Sequence, residues 1–522
     1  MFLAHRQRQF DAWASQINSG EFVNITNGQF QRLGPGPIRK VGFSHEGAHI
    51  WLVDGEGTGP YVTWRYSPWE LRPRRFLASA MEPAWSPDGK QIVYHTASPG
   101  DPIFIADRTG SDPRLIFSEK AGGHCHYLTW SPDSRFVYFV RGNPTTEQLD
   151  IWRIYIPERG TPAKPERITR HNATIAYLDW LDERTLIYSG TAEDGSGQWL
   201  YAMDVRRRIP HRVSSGITEQ YLSVAASLTR PRRLVVSVAN PSASLWAVPL
   251  AEHTQTEADV NRFPVPKARA FNPRFALDYL LFLSSTDGRD GLWKLENGAV
   301  SELWKGTEGG VIASPSISPD GREICFSYRK RGRTGLHLMS ADGTNIRALA
   351  ESLDVSGAAS GSPDRRWVAV AAKQGAGTYV FKVPVDGGAP IRLIDTFSYS
   401  PIWSPDGKLL IYSEPLQGGA SITKAIRPDR TAVPFPTIQF EYTTVAPYRF
   451  VQGGKALIVL KGSSARRKDF YWVDLQTGLE RQLTDLKTDS VIQNFDVTPD
   501  SKQIVFDQVR NNADLLLLEL RQ

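Results

Sequence analysis

The sequence contains little cysteine. Only Cys125 and Cys325 occur among its 522 residues. Two thiols so far apart in the chain cannot form the disulfide framework that holds small secreted domains together. The fold must therefore be held by apolar cores, and the cysteine content leaves the redox compartment open.

Long apolar runs are also missing. The N-terminal segment MFLAHRQRQFDAWASQ carries charge within its first six residues and has no apolar stretch long enough for a signal peptide or a membrane helix. As written, the chain is expected to be cytoplasmic and to have no membrane segment. A periplasmic location is the alternative if the chain belongs to a longer exported or membrane-anchored protein.

The excess of one charge over the other is small, with 61 basic and 55 acidic residues and a net charge of +6. The basic clusters are short and lie between strand-like segments, as at residues 206–208. This pattern is typical of solvated hairpins. We therefore expect no nucleic-acid partner.

Turn-forming and aromatic residues, by contrast, are abundant. The chain has 43 Gly, 35 Pro and 15 Trp, and the Gly and Pro are spread along its length. Aromatic side chains favour pleated surfaces, whereas Gly and Pro supply tight turns. Because the chain is also too long for one ordinary core, we predict many short strands in several domains or in one large repeat assembly.

One short block recurs along the chain. EPAWSPDGKQIVYHTA begins at Glu82, and close copies begin at Tyr127 (YLTWSPDSRFVYFVRG) and Ser400 (SPIWSPDGKLLIYSEP). The aligned aspartates lie one, two or three periods of about 46 residues apart, and such a period is typical of stacked sheets. These aspartates are Asp88, Asp133, Asp182, Asp320, Asp364, Asp406 and Asp500.

Each repeat unit has the pattern of four short antiparallel strands. Apolar and polar residues alternate within the runs, and turn residues separate them. Four such strands form one blade of a β-propeller. We count twelve units. The opening unit begins at its second strand, and the last lacks a fourth strand unless another segment completes it.

Twelve blades exceed the roughly four to eight of a single ring. The fold class predicted is therefore all-β, with two six-bladed β-propellers at residues 1–266 and 267–522. The longer polar connection that begins at Ala251 suits a linker between them. A division into five and seven blades is the alternative.

The repeated Ser-Pro-Asp-Gly stretch can be read as a turn or as a carboxylate site. Proline fixes φ at the first turn position, aspartate accepts a backbone hydrogen bond, and glycine takes the positive φ. One aspartate per blade would spread the carboxylates around a ring, which favours the turn over a metal or acid–base site. The tryptophans before the turns are expected to pack between adjacent blades; they are Trp85, Trp130, Trp180 and Trp403.

These repeats resemble those of the TolB and WD-like β-propeller family. Its Ser-Pro-Asp-Gly turn stands here at residues 86–89, 318–321 and 404–407, and the resemblance covers nearly the whole chain. Overall, the sequence looks most like the C-terminal multi-propeller region of bacterial kinase- or winged-helix-linked proteins. The sequence has no kinase catalytic loop, no helical DNA-binding segment before the first unit and no serine-hydrolase elbow. The resemblance therefore implies a fold rather than a function.

One cluster has the residue types of a metal site, namely His124-Cys125-His126. On a strand, the two imidazoles would lie on one face and the thiol on the other, and no second ligand group has diagnostic spacing. The sequence favours a hydrogen-bonded loop before the strand YLTWS over a metal site.

Three glycine-rich acidic stretches are weaker candidates. DGEGTGP at Asp54 lacks the lysine and serine or threonine of a phosphate loop. EDGSG at Glu193 and DGRDG at Asp287 are too short for a calcium loop and lack its distal glutamate. All three are interpreted as hairpins, although calcium at the latter two is an alternative.

We therefore expect a non-enzymatic scaffold that binds a protein or peptide, as the sensor or interaction part of a larger regulatory protein. No catalytic, cofactor-binding or metal-binding residue is assigned, no cofactor is expected, and the oligomeric state is left open. The alternative is binding of a small molecule, sugar or metal, or a hydrolase-type activity, at the mouth of a propeller channel.

Overall fold

Short strands make up almost all of the regular structure. The computed structural model describes the chain except for residues 7–8, 18, 35–37, 56–60, 68–71, 120–122, 144–147, 158–159, 161, 172, 192–196, 215–218, 228–231, 268, 286–289, 307–308, 331, 376, 417–419, 442–445, 463–467, 488–490 and 521–522. The described residues contain no α-helix and only brief 3₁₀ turns, including Glu257–Asp259 and Gln452–Gly454. No helix among them is long and apolar enough to cross a membrane.

The first five sheets follow one another along the chain. Each is an antiparallel meander of three or four strands. Sheet 1 contains β1 (Phe2–Arg6), β2 (Gln9–Ala14) and β3 (Val23–Asn24); sheet 2, β4 (Val41–Phe43), β5 (Ile50–Asp54), β6 (Val62–Tyr66) and β7 (Arg74–Ala78); sheet 3, β8 (Ala80–Trp85), β9 (Gln91–Thr96), β10 (Ile103–Asp107) and β11 (Arg114–Phe117); sheet 4, β12 (His124–Trp130), β13 (Phe136–Asn143), β14 (Gln148–Tyr155) and β15 (Glu166–Arg167); sheet 5, β16 (Ile175–Trp180), β17 (Thr185–Thr191), β18 (Gln198–Asp204) and β19 (His211–Arg212).

The remaining strands build six further sheets and one short parallel pair. In chain order they are β20 (Gln220–Ala226), β21 (Arg233–Pro249), β22 (Gln255–Thr256), β23 (Asn261–Arg262), β24 (Phe271–Phe275), β25 (Tyr279–Ser285), β26 (Asp290–Glu296), β27 (Ala299–Trp304), β28 (Gly310–Val311), β29 (Ser316–Ile317), β30 (Glu323–Lys330), β31 (Arg333–Ser340), β32 (Arg347–Ala348), β33 (Asp354–Gly361), β34 (Trp367–Gln374), β35 (Gly377–Pro384), β36 (Ile391–Arg392), β37 (Tyr399–Trp403), β38 (Leu410–Pro415), β39 (Ala420–Ile426), β40 (Ala432–Val433), β41 (Gln439–Glu441), β42 (Tyr448–Val451), β43 (Ala456–Gly462), β44 (Lys468–Asp474), β45 (Glu480–Gln482), β46 (Thr484–Asp485), β47 (Phe495–Val497) and β48 (Gln503–Glu519).

These strands complete a multi-blade β-propeller, as the repeats predicted. Sheet 6 contains β20, β21, β48, β47 and β23, while β22 pairs with β46. Sheets 7 to 11 contain β24–β27, β28–β32, β33–β36, β37–β41 and β42–β45. Because sheet 6 is two blades long, the sheets correspond to the twelve predicted units.

The Ser-Pro-Asp-Gly block joins the first strand of a sheet to the second, which confirms the predicted turn. In sheet 3, Ser86 Oγ donates a hydrogen bond to Asp88 Oδ1 (2.6 Å), and Gly89 has a φ of +70°. The hydrogen bond from Ser86 lowers the pKa of Asp88, so the turn itself holds this carboxylate ionised. The same bond recurs from Ser131 to Asp133, Ser318 to Asp320, Ser362 to Asp364 and Ser404 to Asp406.

The tryptophans before these turns pack between neighbouring blades, as predicted. Trp130 of sheet 4 donates its indole N–H to the carbonyl of Ala84 in sheet 3 (3.0 Å). Trp180 of sheet 5 meets Tyr138 of sheet 4 edge to face, with ring centroids 5.1 Å apart. Among the described residues no strand ladder joins sheet 3 to sheet 4 or sheet 4 to sheet 5, so these large side chains help to hold the neighbouring sheets together.

Apolar clusters join each sheet to the next. Sheets 1 to 6 pack in a row through five such clusters. Sheets 6 to 11 pack in a closed cycle, in which sheet 11 meets sheet 6 at Phe470 and Phe495, and sheet 6 meets sheet 7 at Leu245 and Phe282. The core is therefore a series of layers between sheets.

The last strand differs from its prediction. The sequence indicated three strands in the final unit, but its second and third are one 17-residue strand, β48, which pairs with β21 along its whole length. This continuous ladder supplies hydrogen bonds that outweigh the local turn signals. The β21 and β23 strands complete the final unit, as the sequence allowed. The β21–β48 ladder joins a strand that precedes residue 266 to one that follows it. The division at residue 266 into two six-bladed rings stays a prediction.

Candidate metal centre

The inner strands of sheets 3 and 4 each contain a bulge that redirects a side chain. The β8–β9 register shifts between Met81 and Ala84, and Glu82 has a φ of 51°. In β12 the shift follows His126, and Tyr127 has a φ of 57°. The same shift with a positive φ recurs in β16, β24 and β37, so the bulge belongs to the repeated inner strand, and it re-aims the side chain that it carries. Here the bulge turns Glu82 towards β12.

Glu82 is a buried carboxylate that connects three parts of the chain. Its Oε1 accepts the backbone N–H of Arg39 (2.6 Å), and its Oε2 accepts that of Tyr127 (2.7 Å). His95 Nε2 of β9 lies 3.1 Å from the same Oε2. Burial alone would raise the pKa of Glu82, but these hydrogen bonds and the nearby imidazoles outweigh it, and the pKa is lowered. This carboxylate is therefore ionised and already well supplied with donors.

A second carboxylate, Asp101, lies in the loop between β9 and β10. Its Oδ2 is 2.8 Å from His124 Nδ1 and 3.4 Å from His126 Nε2. Burial raises the pKa of Asp101, but the hydrogen bond with His124 and the surrounding imidazoles lower it by more. Two histidines thus converge on one oxygen of an ionised carboxylate.

His126 lies between the two carboxylates. Its Nε2 faces Asp101, and its Nδ1 is 3.9 Å from Glu82 Oε2 and has no hydrogen bond. Burial lowers the pKa of His126 to about 4, despite the opposing effect of Asp101. The ring is therefore neutral near pH 7, the form in which imidazole binds metals.

The local structure around the histidines differs from the sequence interpretation in one respect. The residues His124-Cys125-His126 open strand β12 and pair with β13; they do not form a loop before it. The expected alternation is confirmed, because Cys125 points into the apolar cluster between sheets 3 and 4. Burial raises the pKa of the Cys125 thiol well above its usual range, so the thiol takes no part in the histidine face.

Among the described residues, two sets of three metal-ligating side chains have their ligand atoms within 4.8 Å of one another. One is Glu82, His95 and His126, and the other is Asp101, His124 and His126. The ligand atoms of a tetrahedral zinc ion lie about 3.3 Å apart, since Zn–N and Zn–O bonds are about 2.0–2.2 Å long. The two distances at Asp101 bracket that separation.

Burial and hydrogen bonding distinguish the two sets. The side chains of His95 and Glu82 are 0% and 2% exposed, whereas that of His124 is 41% exposed. Each oxygen of Glu82 also accepts a backbone N–H, whereas Asp101 accepts one such group, from Cys125 to Oδ2 (3.2 Å). The Asp101 set is therefore the accessible one, and Glu82 with His95 forms its buried support.

The site lies at the end of the sheets away from the Ser-Pro-Asp-Gly turns. Those turns join first to second strands, whereas the Asp101 loop joins a second strand to a third. Successive connections of an antiparallel meander alternate between its two ends. The start of β12 lies at the same end as Asp101, so the inner strands and the loops meet there.

Sequence reasoning singled out His124 and His126 but missed the other three residues of this cluster. Glu82, His95 and Asp101 belong to the preceding repeat unit and have no local ligand spacing. One signal was present: His95 stands where other units carry a serine, as at Ser189 and Ser413. Of the glycine-rich stretches, those at residues 54–60, 193–197 and 287–291 lie largely outside the described residues.

Comparisons with known proteins bear on the fold. No protein-family model matches the sequence, and a search of curated proteins finds no match. Similar solved structures include a putative TolB from Agrobacterium tumefaciens, with 14% identity and a TM-score of 0.37 over 52% of this chain and 98% of that chain. TolB from Acinetobacter baumannii has 13% identity and a TM-score of 0.36 over 63% of this chain and 81% of its own.

The tricorn protease is also similar, with 12% identity and a TM-score of 0.33 over 98% of this chain and 61% of its own. TolB propellers, which the repeats resembled, are thus among the structural neighbours, together with an enzyme. The assignment as a β-propeller rests on the sheets themselves.

Proposed function

We propose that this chain is a β-propeller binding protein in which Asp101, His124 and His126 hold one divalent transition-metal ion. The observation that carries the proposal is the convergence of two imidazole nitrogens on one carboxylate oxygen, at 2.8 and 3.4 Å. The 3.4 Å contact of His126 Nε2 with Asp101 Oδ2 supports it, because this distance is close to the separation of two ligand atoms on one zinc ion; the Nδ1 without a hydrogen bond faces Glu82 instead.

The ligand types indicate which metals the site would take. Two imidazoles and one carboxylate suit Zn²⁺ and neighbouring first-row ions such as Co²⁺, Ni²⁺ and Cu²⁺. Calcium and magnesium prefer sets made of oxygen atoms alone. The site is therefore expected to select transition metals over the abundant alkaline-earth ions.

Three protein ligands leave one position of a tetrahedral ion open. That position would face the solvent side, where the imidazole of His124 is exposed. A carboxylate, an imidazole or a water molecule from outside the chain could occupy it. We infer a binding role, in keeping with the non-enzymatic scaffold expected from the sequence and with its alternative of metal binding at a channel mouth.

Calorimetric titration of chelator-treated protein with ZnCl₂ or CoCl₂ tests this proposal. We expect one ion per chain, and we expect Asp101→Asn and His126→Ala to weaken binding beyond the roughly 10–100-fold typical of losing an outer-shell partner. His124→Ala, at a partly exposed position, provides a variant whose folding is less at risk. Asp406→Asn, which alters a turn carboxylate, is the matched control and should bind as the wild type does. The proposal would be refuted if the wild type did not bind one ion per chain, or if the three site variants bound the ion as tightly as the wild type does.

A further inference from the structure

Sheet 6 has an unusual edge in its first blade. Residues 513–519 of β48 pair with β21, but among the described residues no strand pairs with their other side. Sheets 2 to 5 all carry a fourth strand in that place, namely β7, β11, β15 and β19. We call residues 513–519 the edge segment.

The edge segment is apolar and exposed. Leu515, Leu516, Leu517 and Leu518 are each 40–42% exposed. The corresponding third strands of other sheets are buried, as Ile103 of β10 and Ile151 of β14 show. Contiguous exposed apolar residues on a sheet edge are typical of a protein interaction site.

The backbone of the edge segment is available for pairing at alternate residues. Leu520 N–H donates to the carbonyl of Arg232, and Leu250 N–H donates to that of Lys502 at the other end of the same ladder. In an antiparallel pair, residues that exchange hydrogen bonds alternate with residues that do not. Even-numbered residues of β48 therefore bond to β21, and the N–H and C=O groups of Leu515, Leu517 and Glu519 point to the open edge.

Charge indicates the kind of strand that fits. Asp514 and Glu519 flank the four leucines, and residues 513–519 include no basic side chain. Glu519 is paired with Arg233 on β21 (2.9 Å), while Asp514 is exposed. In a second copy paired antiparallel about the leucines, odd-numbered residues would lie opposite odd-numbered ones, so Asp514 would lie opposite Leu518 or Leu520 and would gain no basic partner.

We propose that the edge segment binds an extended segment of a partner protein, which adds an antiparallel strand with alternating apolar residues and a basic residue at each end. Main-chain hydrogen bonds to Leu515, Leu517 and Glu519 would supply affinity, and the flanking charges would supply selectivity. The surface is separate from the metal centre, so neither proposal depends on the other.

A labelled peptide, Lys-Val-Thr-Val-Thr-Lys, whose two ends would lie opposite Glu519 and Asp514, serves as the probe in fluorescence anisotropy with the full chain. Leu517→Pro removes an N–H that points to the open edge and leaves the β21 ladder intact, since proline is tolerated at such positions. We expect this variant to bind at least about tenfold more weakly, and we expect Leu517→Ala, which keeps the N–H, to bind nearly as well as the wild type. A peptide with glutamate at both ends should not bind.

Hydrogen exchange of the wild type adds a second readout. The peptide should slow exchange of the amides of Leu515, Leu517 and Glu519. Equal binding by Leu517→Pro, or by the glutamate peptide, would overturn the proposal. If light scattering shows that the wild type is a dimer and that Leu517→Pro is a monomer, the edge segment pairs with a second copy of the chain, and the proposal is overturned. If these three amides are protected from exchange in the absence of peptide, another part of the same chain already covers the edge segment, and the proposal is overturned.

Discussion

Replacing Glu82 by glutamine is a sharp test of how the metal centre is supported. Each carboxylate oxygen of Glu82 accepts a buried backbone N–H, from Arg39 and from Tyr127. A glutamine offers one oxygen and one NH₂ group, so one of these N–H groups loses its acceptor. That loss costs about 1–3 kcal/mol, and the change from a charged to a neutral acceptor costs about 1 kcal/mol more, so Glu82→Gln should lose roughly 2–4 kcal/mol.

Hydrogen exchange at the amides of Tyr127 and Arg39 measures this loss directly, because it reports the free energy of local opening. A chain with this many sheets need not unfold in two states, so a global unfolding curve is the poorer readout. Glu46→Gln is the matched control, since Glu46 contacts His49 at the surface and substitutions there change stability by about 0.5 kcal/mol at most. The reasoning would be refuted if, in Glu82→Gln, the opening free energies at the amides of Tyr127 and Arg39 both stayed within about 0.5 kcal/mol of the wild-type values.

The same variant separates the two possible metal sets. Glu82 makes no hydrogen bond to the three proposed ligands, so if it only supports the site, Glu82→Gln should weaken metal binding by less than the roughly 10–100-fold of a bonded outer-shell partner, and by less than Asp101→Asn does. If Glu82→Gln weakened metal binding more than Asp101→Asn did, the ion would instead lie between Glu82, His95 and His126.

Two further predictions concern the repeat turns and the thiols. Gly407→Ala should destabilise the protein by about 1–2 kcal/mol, because Gly407 has a φ of +69°, and should lower the melting temperature in differential scanning fluorimetry; a melting temperature equal to that of the wild type would contradict the turn geometry. Cys125 and Cys325 are buried with raised pKa values, so Ellman's reagent should find no reactive thiol in the native protein and two after denaturation. Rapid reaction of either thiol in the native state would contradict the burial of that residue.

The repeat fold could be predicted because its signals are local. Ser86, Asp88 and Gly89 determine a turn within four residues, and the aspartate and glycine make the hydrogen bond and take the positive φ that the turn requires. Repetition of that turn about every 46 residues then fixes the number of blades. The pairing of Trp130 with the preceding sheet follows from the same periodicity.

The metal centre could not be predicted in the same way because its parts come from different units. His124 and His126 start one sheet, whereas Glu82, His95 and Asp101 come from three elements of the previous sheet. The bulge that gives Glu82 its positive φ recurs in the inner strands of other units, at Tyr127, Tyr177, Asn272 and Ser400, and of these five positions only that of sheet 3 carries a carboxylate. When side chains from different blades come together through packing, their spacing along the sequence does not reveal the site.

The β21–β48 ladder was missed for a related reason. Each strand reads locally as two short strands, and only their pairing over 17 residues keeps both extended. That pairing joins residues nearly three hundred positions apart, such as Arg233 and Glu519, which no local pattern records.

The position of the bound ion tests the central claim most directly. Anomalous diffraction from crystals grown with Zn²⁺ should show one peak bonded to Asp101 Oδ2, His124 Nδ1 and His126 Nε2, at about 2.0–2.2 Å from each atom. A peak between Glu82 and His95, or no peak in this cluster at saturating Zn²⁺, would contradict the account.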